Sequence, residues 1–250
     1  MVTTDQLLHH FAPITLEEMD GVKLQDRVDT KYVFGEHRLA EVLEAMLPHY
    51  RILEVGGKRG TSYSSLYFDT ADLRDYHAHH NRRTFRSKVR FREYLGSGLV
   101  YLEVKRKTGR GRTDKKRLRV EAIPDQLTPE QMDFVARTSR CDAPRQATLW
   151  NHFTRYTFVN RHSAERLTMD LDLRYSSGNK DARLGNVVIA ELKQGRADRT
   201  SPFVRIMRER VFPASGMSKY CIGLLQVGQR VKHNAFKAVL LKLDRIRQAA

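Results

Sequence analysis

A strict two-residue alternation of basic and apolar side chains runs through FRSKVRFREY, residues 85–94. The basic positions are Arg86, Lys88, Arg90 and Arg92, and the intervening apolar positions include Val89 and Phe91. Successive side chains of a β-strand point to opposite faces of its sheet, whereas a helix would scatter these residues around its axis. The segment is therefore predicted to be a strand with one cationic face and one apolar face.

Four other segments repeat this alternation. They are RVDTKYVF (27–34), LVYLEVKRK (99–107), DKKRLRVE (114–121) and ERLTMDLDLRY (165–175). Cations at facing positions of neighbouring strands repel each other, which costs stability unless an anion or a carboxylate compensates. Sparse carboxylates do occur on the polar faces, at Glu103, Asp170, Asp172 and Glu191. An antiparallel barrel with its polar face inside would account for both features.

The remaining pattern predicts an α+β protein in which short helices cover the apolar outer face of this barrel. Strands are predicted over residues 26–34, 50–55, 62–69, 84–95, 99–108, 114–121, 150–160, 165–175 and 186–194. Helices are predicted over 36–48, 129–138, 201–210 and about 234–248, where apolar residues recur at helical spacing. The Gly/Asn/Asp-rich stretch 176–186 is predicted to be a turn.

The net charge of +16, from 45 Lys and Arg against 29 Asp and Glu, indicates an anionic partner. A nucleic acid, an acidic membrane surface or a phosphate-rich small substrate would meet this requirement. The two cysteines form no CxxC pair, and the first residues carry no signal-peptide pattern. No uncharged apolar stretch approaches the roughly 18 residues of a membrane span. These features predict a cytoplasmic protein.

The mixture of cations and carboxylates on the polar faces suits a phosphate chain bound with a metal ion. Arg offers a planar fork of donors to phosphate oxygens, and Lys supplies a compact positive charge. A carboxylate can hold a divalent cation that bridges phosphate oxygens. The chain has no G-x-x-x-x-G-K-[ST] loop and no G-x-G-x-x-G after a strand. Side chains, rather than a glycine-rich loop, would therefore hold the phosphates.

Several motifs resemble those of the VTC-type polyphosphate polymerase domain, which belongs to the triphosphate tunnel metalloenzymes. The matching segments, in the family's order, are RVDTKY (27–32), SLYFDT (65–70), KVRFREY (88–94), YLEVKRK (101–107), residues 155–172, AELKQGR (190–196) and SKY (218–220). The resemblance implies an eight-stranded antiparallel β-barrel, the tunnel, over residues 25–228. A leading segment (1–24) and a C-terminal helix (229–250) would flank it. ATP and polyphosphate would bind in the tunnel with a divalent Mn²⁺ or Mg²⁺.

Residue roles follow from the family positions that these motifs match. The resemblance implies phosphate clamps at Lys31, Arg90, Arg92, Lys107, Arg155 and Lys219. Further substrate contacts are expected from Arg27, Lys88, Lys105, Arg117, Arg119, Arg166, Lys193 and Ser218. Glu191 would be the principal metal ligand and Glu103 a second one, while Asp170 and Asp172 would complete the wall.

The activity that the resemblance implies is transfer of the terminal phosphoryl group of ATP to a polyphosphate chain. A triphosphatase in the same tunnel is the alternative, and a non-catalytic protein that binds polyphosphate or nucleic acid is a second one. No nucleic acid is expected as a partner, because no motif for it occurs and the cations alternate beside carboxylates. A separate membrane protein is the predicted receiver of the product. Eukaryotic polymerase members have a further lysine where this chain has Gly216.

Two residues of the YFDT motif are interpreted as structural. Asp69 is predicted to cap the segment that begins at Ala71, since a carboxylate there can accept from free backbone N–H groups. Tyr67 is predicted to be a packing residue rather than a platform for a base. Neither is expected to contact substrate.

Overall fold

The computed structural model describes residues 3–20, 28–109 and 113–249 of the chain. Its strands are β1 (Pro13–Ile14), β2 (Val28–Gly35), β3 (Tyr50–Leu53), β4 (Gly60–Asp69), β5 (Arg86–Tyr94), β6 (Leu99–Lys107), β7 (Thr113–Val120), β8 (Gln146–Asn160), β9 (Glu165–Ser177), β10 (Lys180–Leu184) and β11 (Val187–Gln194). Its helices are α1 (Thr4–His10), α2 (Leu16–Asp20), α3 (Leu39–Met46), α4 (Arg74–His80), α5 (Pro129–Ser139), α6 (Pro202–Glu209), α7 (Lys219–Gln226) and α8 (Lys237–Gln248). Each predicted strand and helix is present, with small shifts of its ends. None of the helices in these ranges is long and apolar enough to cross a membrane.

Eight strands form one antiparallel path in the order β2–β11–β9–β8–β4–β5–β6–β7. β10 pairs with the end of β9, and β3 pairs with β8 and with the short β1. The path curves strongly enough to bring its two ends together. The Lys105 ammonium of β6, the last strand but one, lies 3.7 Å from the Asp29 carboxylate of β2, the first strand. The predicted α+β class with eight antiparallel strands is confirmed.

Strand pairing does not close this barrel, which corrects the expectation of a closed one. Within the ranges described, the edge strands β2 and β7 share no ladder. The edge of β2 instead pairs with a segment that we call the β2 strap, residues 213–218. Ala214 bridges Tyr32, and the Ser215 N–H donates to the Lys31 carbonyl at 2.7 Å. The strap leads directly into α7.

Helices cover the apolar outer face of the sheet. On β5, Val89 and Phe91 are buried in one cluster with Val135 of α5. Residues of α1, α3 and α6 form a second cluster with β2, β8, β9 and β11. Burial of apolar surface stabilises the folded state by roughly 25 cal/mol per Å². The apolar face of each strand therefore packs against the helices, and the polar face is left inside, so the predicted polar interior is confirmed.

Four elements, β1, α4, β10 and α7, were not predicted from the sequence. β10 lies inside the stretch that was expected to be a turn and pairs with the end of β9. The α7 segment KYCIGLLQ is apolar around most of its circumference, so its pattern does not separate a buried helix from a buried strand. The Ser218 hydroxyl caps this helix by accepting from the Cys221 N–H, and Ile222 and Leu224 are fully buried against the sheet.

Gly223 marks the closest approach of α7 to the sheet. A Cβ at this position would lie 2.5 Å from the Tyr175 ring and 2.6 Å from the Leu149 side chain. Gly223→Ala is expected to lower the free energy of unfolding by about 1–3 kcal/mol through overpacking, measured by urea denaturation. Gly216→Ala is the control, because a Cβ there meets nothing within 4 Å, and it should change the value by less than about 0.5 kcal/mol. Equal effects at the two positions would contradict the packing argument.

Candidate active site

The concave face of the sheet lines a cavity of about 1090 Å³. Most of the predicted site residues line it. They are Lys31, Lys88, Arg90, Arg92, Glu103, Lys105, Arg117, Arg155, Arg166, Glu191, Lys193, Ser218 and Lys219. The alternation on β2, β5, β6, β8, β9 and β11 therefore brings together residues that lie far apart in the sequence.

Two predicted residues of the described ranges, Lys107 and Arg119, are not among the side chains that line this cavity. Lys107 lies opposite Arg86, two register pairs beyond the pair formed by Lys88 and Lys105. Arg119 lies opposite Tyr101 and is exposed. Arg27 falls outside the described residues. Their substrate contacts stay predictions.

Glu103 is a buried carboxylate that holds two cations in place. One oxygen accepts from Nε and Nη2 of Arg90 at 2.9 and 2.7 Å, and the other accepts from the Lys115 ammonium. Burial alone would raise the pKa of Glu103, but Arg90, Arg92 and Lys115 outweigh it and hold the pKa well below its usual range. With both oxygens engaged, Glu103 is better placed to position Arg90 than to bind a metal. Lys115 was missed as a site residue, although it shares its strand face with Arg117.

Asp170 is a second buried carboxylate with two cationic partners. It accepts a bidentate pair of hydrogen bonds from Arg155 at 2.6 and 2.8 Å, and it also accepts from the Lys219 ammonium. Burial would raise the pKa of Asp170, yet Arg155 and Lys219 lower it far more. Burial in turn lowers the pKa of Lys219 to about 8, against the opposing effect of Asp170. One carboxylate thus ties β8 and the first turn of α7 together.

Asp172 does not share this face, which corrects the prediction that it completes the wall. The β8–β9 register shifts between His152 and Thr154, and Asp172 itself has φ +50°. Such a bulge adds one residue and breaks the two-residue alternation. The carboxylate of Asp172 pairs instead with the exposed Arg174 and Arg183, at 2.7 and 3.0 Å.

Glu191 faces the cavity between two lysines. Its carboxylate lies 3.7 Å from the Lys31 ammonium and 3.2 Å from that of Lys193. Burial would raise the pKa of Glu191, but Lys193, Lys31, Lys105 and Arg155 lower it well below the usual range. The carboxylate is therefore ionised at neutral pH, as a metal ligand must be.

The residues present fit a metal that arrives with phosphate better than a metal held by protein alone. In the described parts of the chain, no cluster of three or more His, Cys, Asp or Glu side chains could hold an ion. Mg²⁺ commonly takes one or two carboxylates, with phosphate oxygens and water completing its shell. Glu191, which lines the cavity, could supply one such carboxylate.

Lysine faces lysine across β5 and β6. Lys88 lies directly opposite Lys105, and the next pair on the same face of the two strands is Arg86 with Lys107. The Lys88 ammonium donates to the Ser218 hydroxyl at 2.8 Å, and burial lowers its pKa to about 8. Facing cations of this kind destabilise a sheet, so the arrangement favours an anion in the cavity.

Aromatic rings support the cations at the other end of β5. The Arg92 guanidinium lies 5.0 Å from the Tyr63 ring centre and 5.6 Å from that of Phe153. Arg155 lies 5.4 Å from both centres, and the Lys219 ammonium lies 4.9 Å from Phe153. Such contacts favour a cation without neutralising it. Tyr63 and Phe153 were missed as site residues because an aromatic residue in a strand is most often a packing residue.

The curved antiparallel sheet, with helices outside and a cationic, carboxylate-bearing cavity inside, defines an α+β protein with a polar, tunnel-like interior. Within that class, the family model of the VTC domain matches residues 26–227, and the chain belongs to this family. The resemblance of the motifs is thereby confirmed. No curated protein sequence matches the chain.

Solved structures that are similar to the chain have little sequence identity to it. HpAC1 from Hippeastrum is 17% identical, with a TM-score of 0.50, and the alignment covers 83% of this chain and 99% of that protein. A protein from Vibrio parahaemolyticus is 13% identical, with a TM-score of 0.48 and coverage of 80% and 99%. Both are named putative adenylyl or adenylate cyclases, and HpAC1 is described as having a dominant triphosphatase activity. At this identity the likeness concerns the fold alone.

Removal of the Asp170 charge should destabilise the protein in a pH-dependent way. Asp170→Asn is expected to cost about 3–5 kcal/mol at pH 7, because Arg155 and Lys219 would lose their buried partner. The folded-state pKa of Asp170 is lowered, so its stabilisation is complete above about pH 4 and is lost as the pH falls toward the folded-state value.

Urea denaturation at several pH values between about 7 and 3 measures this effect. The difference between wild type and Asp170→Asn should shrink as the solution becomes acidic. Asp172→Asn is the matched control, since its partners are exposed, and it should cost less than about 1 kcal/mol. A difference in the free energy of unfolding between wild type and Asp170→Asn that grows as the pH falls would contradict the lowered folded-state pKa of Asp170.

Proposed function

We propose that the protein is a metal-dependent polyphosphate polymerase, which transfers the terminal phosphoryl group of ATP to a polyphosphate chain. The observation that carries the proposal is the length of the cation row on β5. Arg92, Arg90, Lys88 and Arg86 share one face of the strand and span about 20 Å at roughly 3.4 Å per residue. A triphosphate occupies part of such a row, so cations remain for a second phosphate chain.

The donor triphosphate would bind where cations surround Glu191. Lys31, Lys193 and Arg155 all act on this carboxylate electrostatically. Bound Mn²⁺ or Mg²⁺ would offset charge on the β- and γ-phosphates, with Glu191 as its protein ligand. The acceptor chain would occupy the continuation of the row along Lys88 and Arg86, and ATP and polyphosphate are thus the proposed ligands.

Transfer would proceed by in-line displacement without a covalent enzyme intermediate. A terminal oxygen of the acceptor chain attacks the γ-phosphorus, the bond from that phosphorus to the β-phosphate oxygen breaks, and ADP leaves. The cavity contributes position and positive charge, since little covalent chemistry is required of the protein in phosphoryl transfer. Arg90, fixed by Glu103, and Arg155, fixed by Asp170, are pre-positioned for bidentate contact with phosphate oxygens.

Product analysis tests this proposal. Purified protein with ATP and Mn²⁺ or Mg²⁺ should form ADP and new phosphoanhydride bonds in equal amounts, with little orthophosphate. Equal release of ADP and orthophosphate would instead support the triphosphatase alternative. Tight binding of polyphosphate without turnover would support the non-catalytic alternative and refute the enzyme.

Glu191→Gln should reduce kcat/KM for ATP by about 10²–10³, because the variant loses the charge proposed to hold the metal near the transferring phosphate. Glu93→Gln is the matched control: it changes a carboxylate on β5 that does not line the cavity, and activity should stay near that of the wild type. Comparable activity in the two variants would remove Glu191 from the mechanism. Steady-state rates over a range of Mn²⁺ concentrations measure the effect.

A further inference from the structure

Asp69 is a buried carboxylate that lies outside the cavity lining. It ends β4 and is 0% exposed. One oxygen accepts from the backbone N–H groups of Thr70 and Asp75, at 2.8 and 2.9 Å. The other accepts from the N–H of Tyr76 at 2.9 Å, so the carboxylate binds the first turn of α4 rather than the segment at Ala71 that it was predicted to cap. A fourth hydrogen bond comes from a different element. The Tyr220 hydroxyl, on α7, donates to the same oxygen as Tyr76 at 2.6 Å.

Tyr220 connects this carboxylate to two cations of the cavity. It directly follows Lys219 in the first turn of α7. Its ring also stacks on Tyr67, with centres 4.9 Å apart and planes 28° apart. The Tyr67 hydroxyl in turn accepts from Nη1 of Arg90 at 3.2 Å. The hydroxyl of Tyr220 thus anchors a residue that adjoins Lys219 in the chain and stacks on the Tyr67 ring, whose hydroxyl contacts Arg90.

The orientation of the first turn of α7 determines where two residues of the cavity lie. Ser218 and Lys219 both line the cavity, and the Ser218 hydroxyl accepts from Lys88. A small rotation of an eight-residue helix would displace the Lys219 ammonium from Asp170 and from the phosphates. A hydrogen bond from a hydroxyl to an ionised carboxylate is shorter and stronger than one between neutral groups. Burial and Asp69 raise the pKa of Tyr220, so its hydroxyl keeps the proton that it donates.

We propose that Asp69, acting through the Tyr220 hydroxyl, is a positioning residue that holds Lys219 in place against bound phosphate. The inference rests on the proposed function for its ligand class, a linear phosphate chain. Binding without turnover tests it, so failure to detect polymerase products leaves the test intact.

The test is a double-mutant cycle on affinity for tripolyphosphate, measured by titration calorimetry with the full chain. Tyr220→Phe keeps the ring on Tyr67 and removes the bond to Asp69. It should weaken binding about tenfold in the wild-type background, within the usual range of coupling energies for contacting residues. In a Lys219→Gln background the same change should weaken binding by less than about twofold, because the group that it positions is gone.

Tyr76→Phe is the matched control. It removes the hydroxyl of a buried tyrosine on α4, which donates to the Lys232 carbonyl at 2.9 Å, and it keeps the backbone N–H through which Tyr76 binds Asp69. Its affinity for tripolyphosphate should equal that of the wild type, and thermal denaturation of every variant verifies folding. A purely structural role for Tyr220 predicts the same loss with or without Lys219, and that result, or no loss at all, would overturn the proposal.

Discussion

Mutual repulsion among cations on the inner face of the sheet is the constraint on which the rest of the structure depends. Lys88 faces Lys105, and Arg86 faces Lys107, on strands that are hydrogen-bonded to each other. Such pairs destabilise a sheet unless other interactions offset them. Two buried carboxylates, Glu103 and Asp170, neutralise charge elsewhere on this face, each by binding two other cations. Asp29 and Glu191 act on the lysines near the edge of the sheet, and Lys105 pairs with Asp29.

The same constraint decides where the hydrophobic core lies. Because the concave face is charged, the apolar residues of the strands must be buried on the convex side, and helices are required there. The clusters of α1, α3 and α6 on one half and α5 on the other meet this requirement. α7 is the exception, since it buries its apolar side chains against one end of the sheet and presents Lys219 to the cavity. This arrangement places buried apolar side chains and a charge that faces the cavity on the same short helix.

Sequence patterning predicted the strands whose alternation is unbroken and failed where local geometry breaks it. The inward direction of Arg90, Glu103 and Arg117 follows directly from a two-residue period. The direction of Asp172 could not be predicted, because a one-residue bulge in β9 leaves no signal in the alternation. The prediction of a closed barrel was also wrong, because the alternation of side chains does not indicate which edge strands pair with each other. In the described structure, β2 pairs with the β2 strap rather than with β7. The aromatic supports of Arg92 and Arg155 depend on distances across the cavity that only the folded chain defines.

The facing cations on β5 and β6 also make the stability of the fold depend on what fills the cavity. By thermodynamic linkage, a ligand that binds the folded form but not the unfolded chain stabilises it by RT ln(1 + [L]/Kd). Relief of the repulsion between Lys88 and Lys105 would contribute to that affinity. The melting temperature of this protein should therefore rise with the concentration of an anion that binds in the cavity.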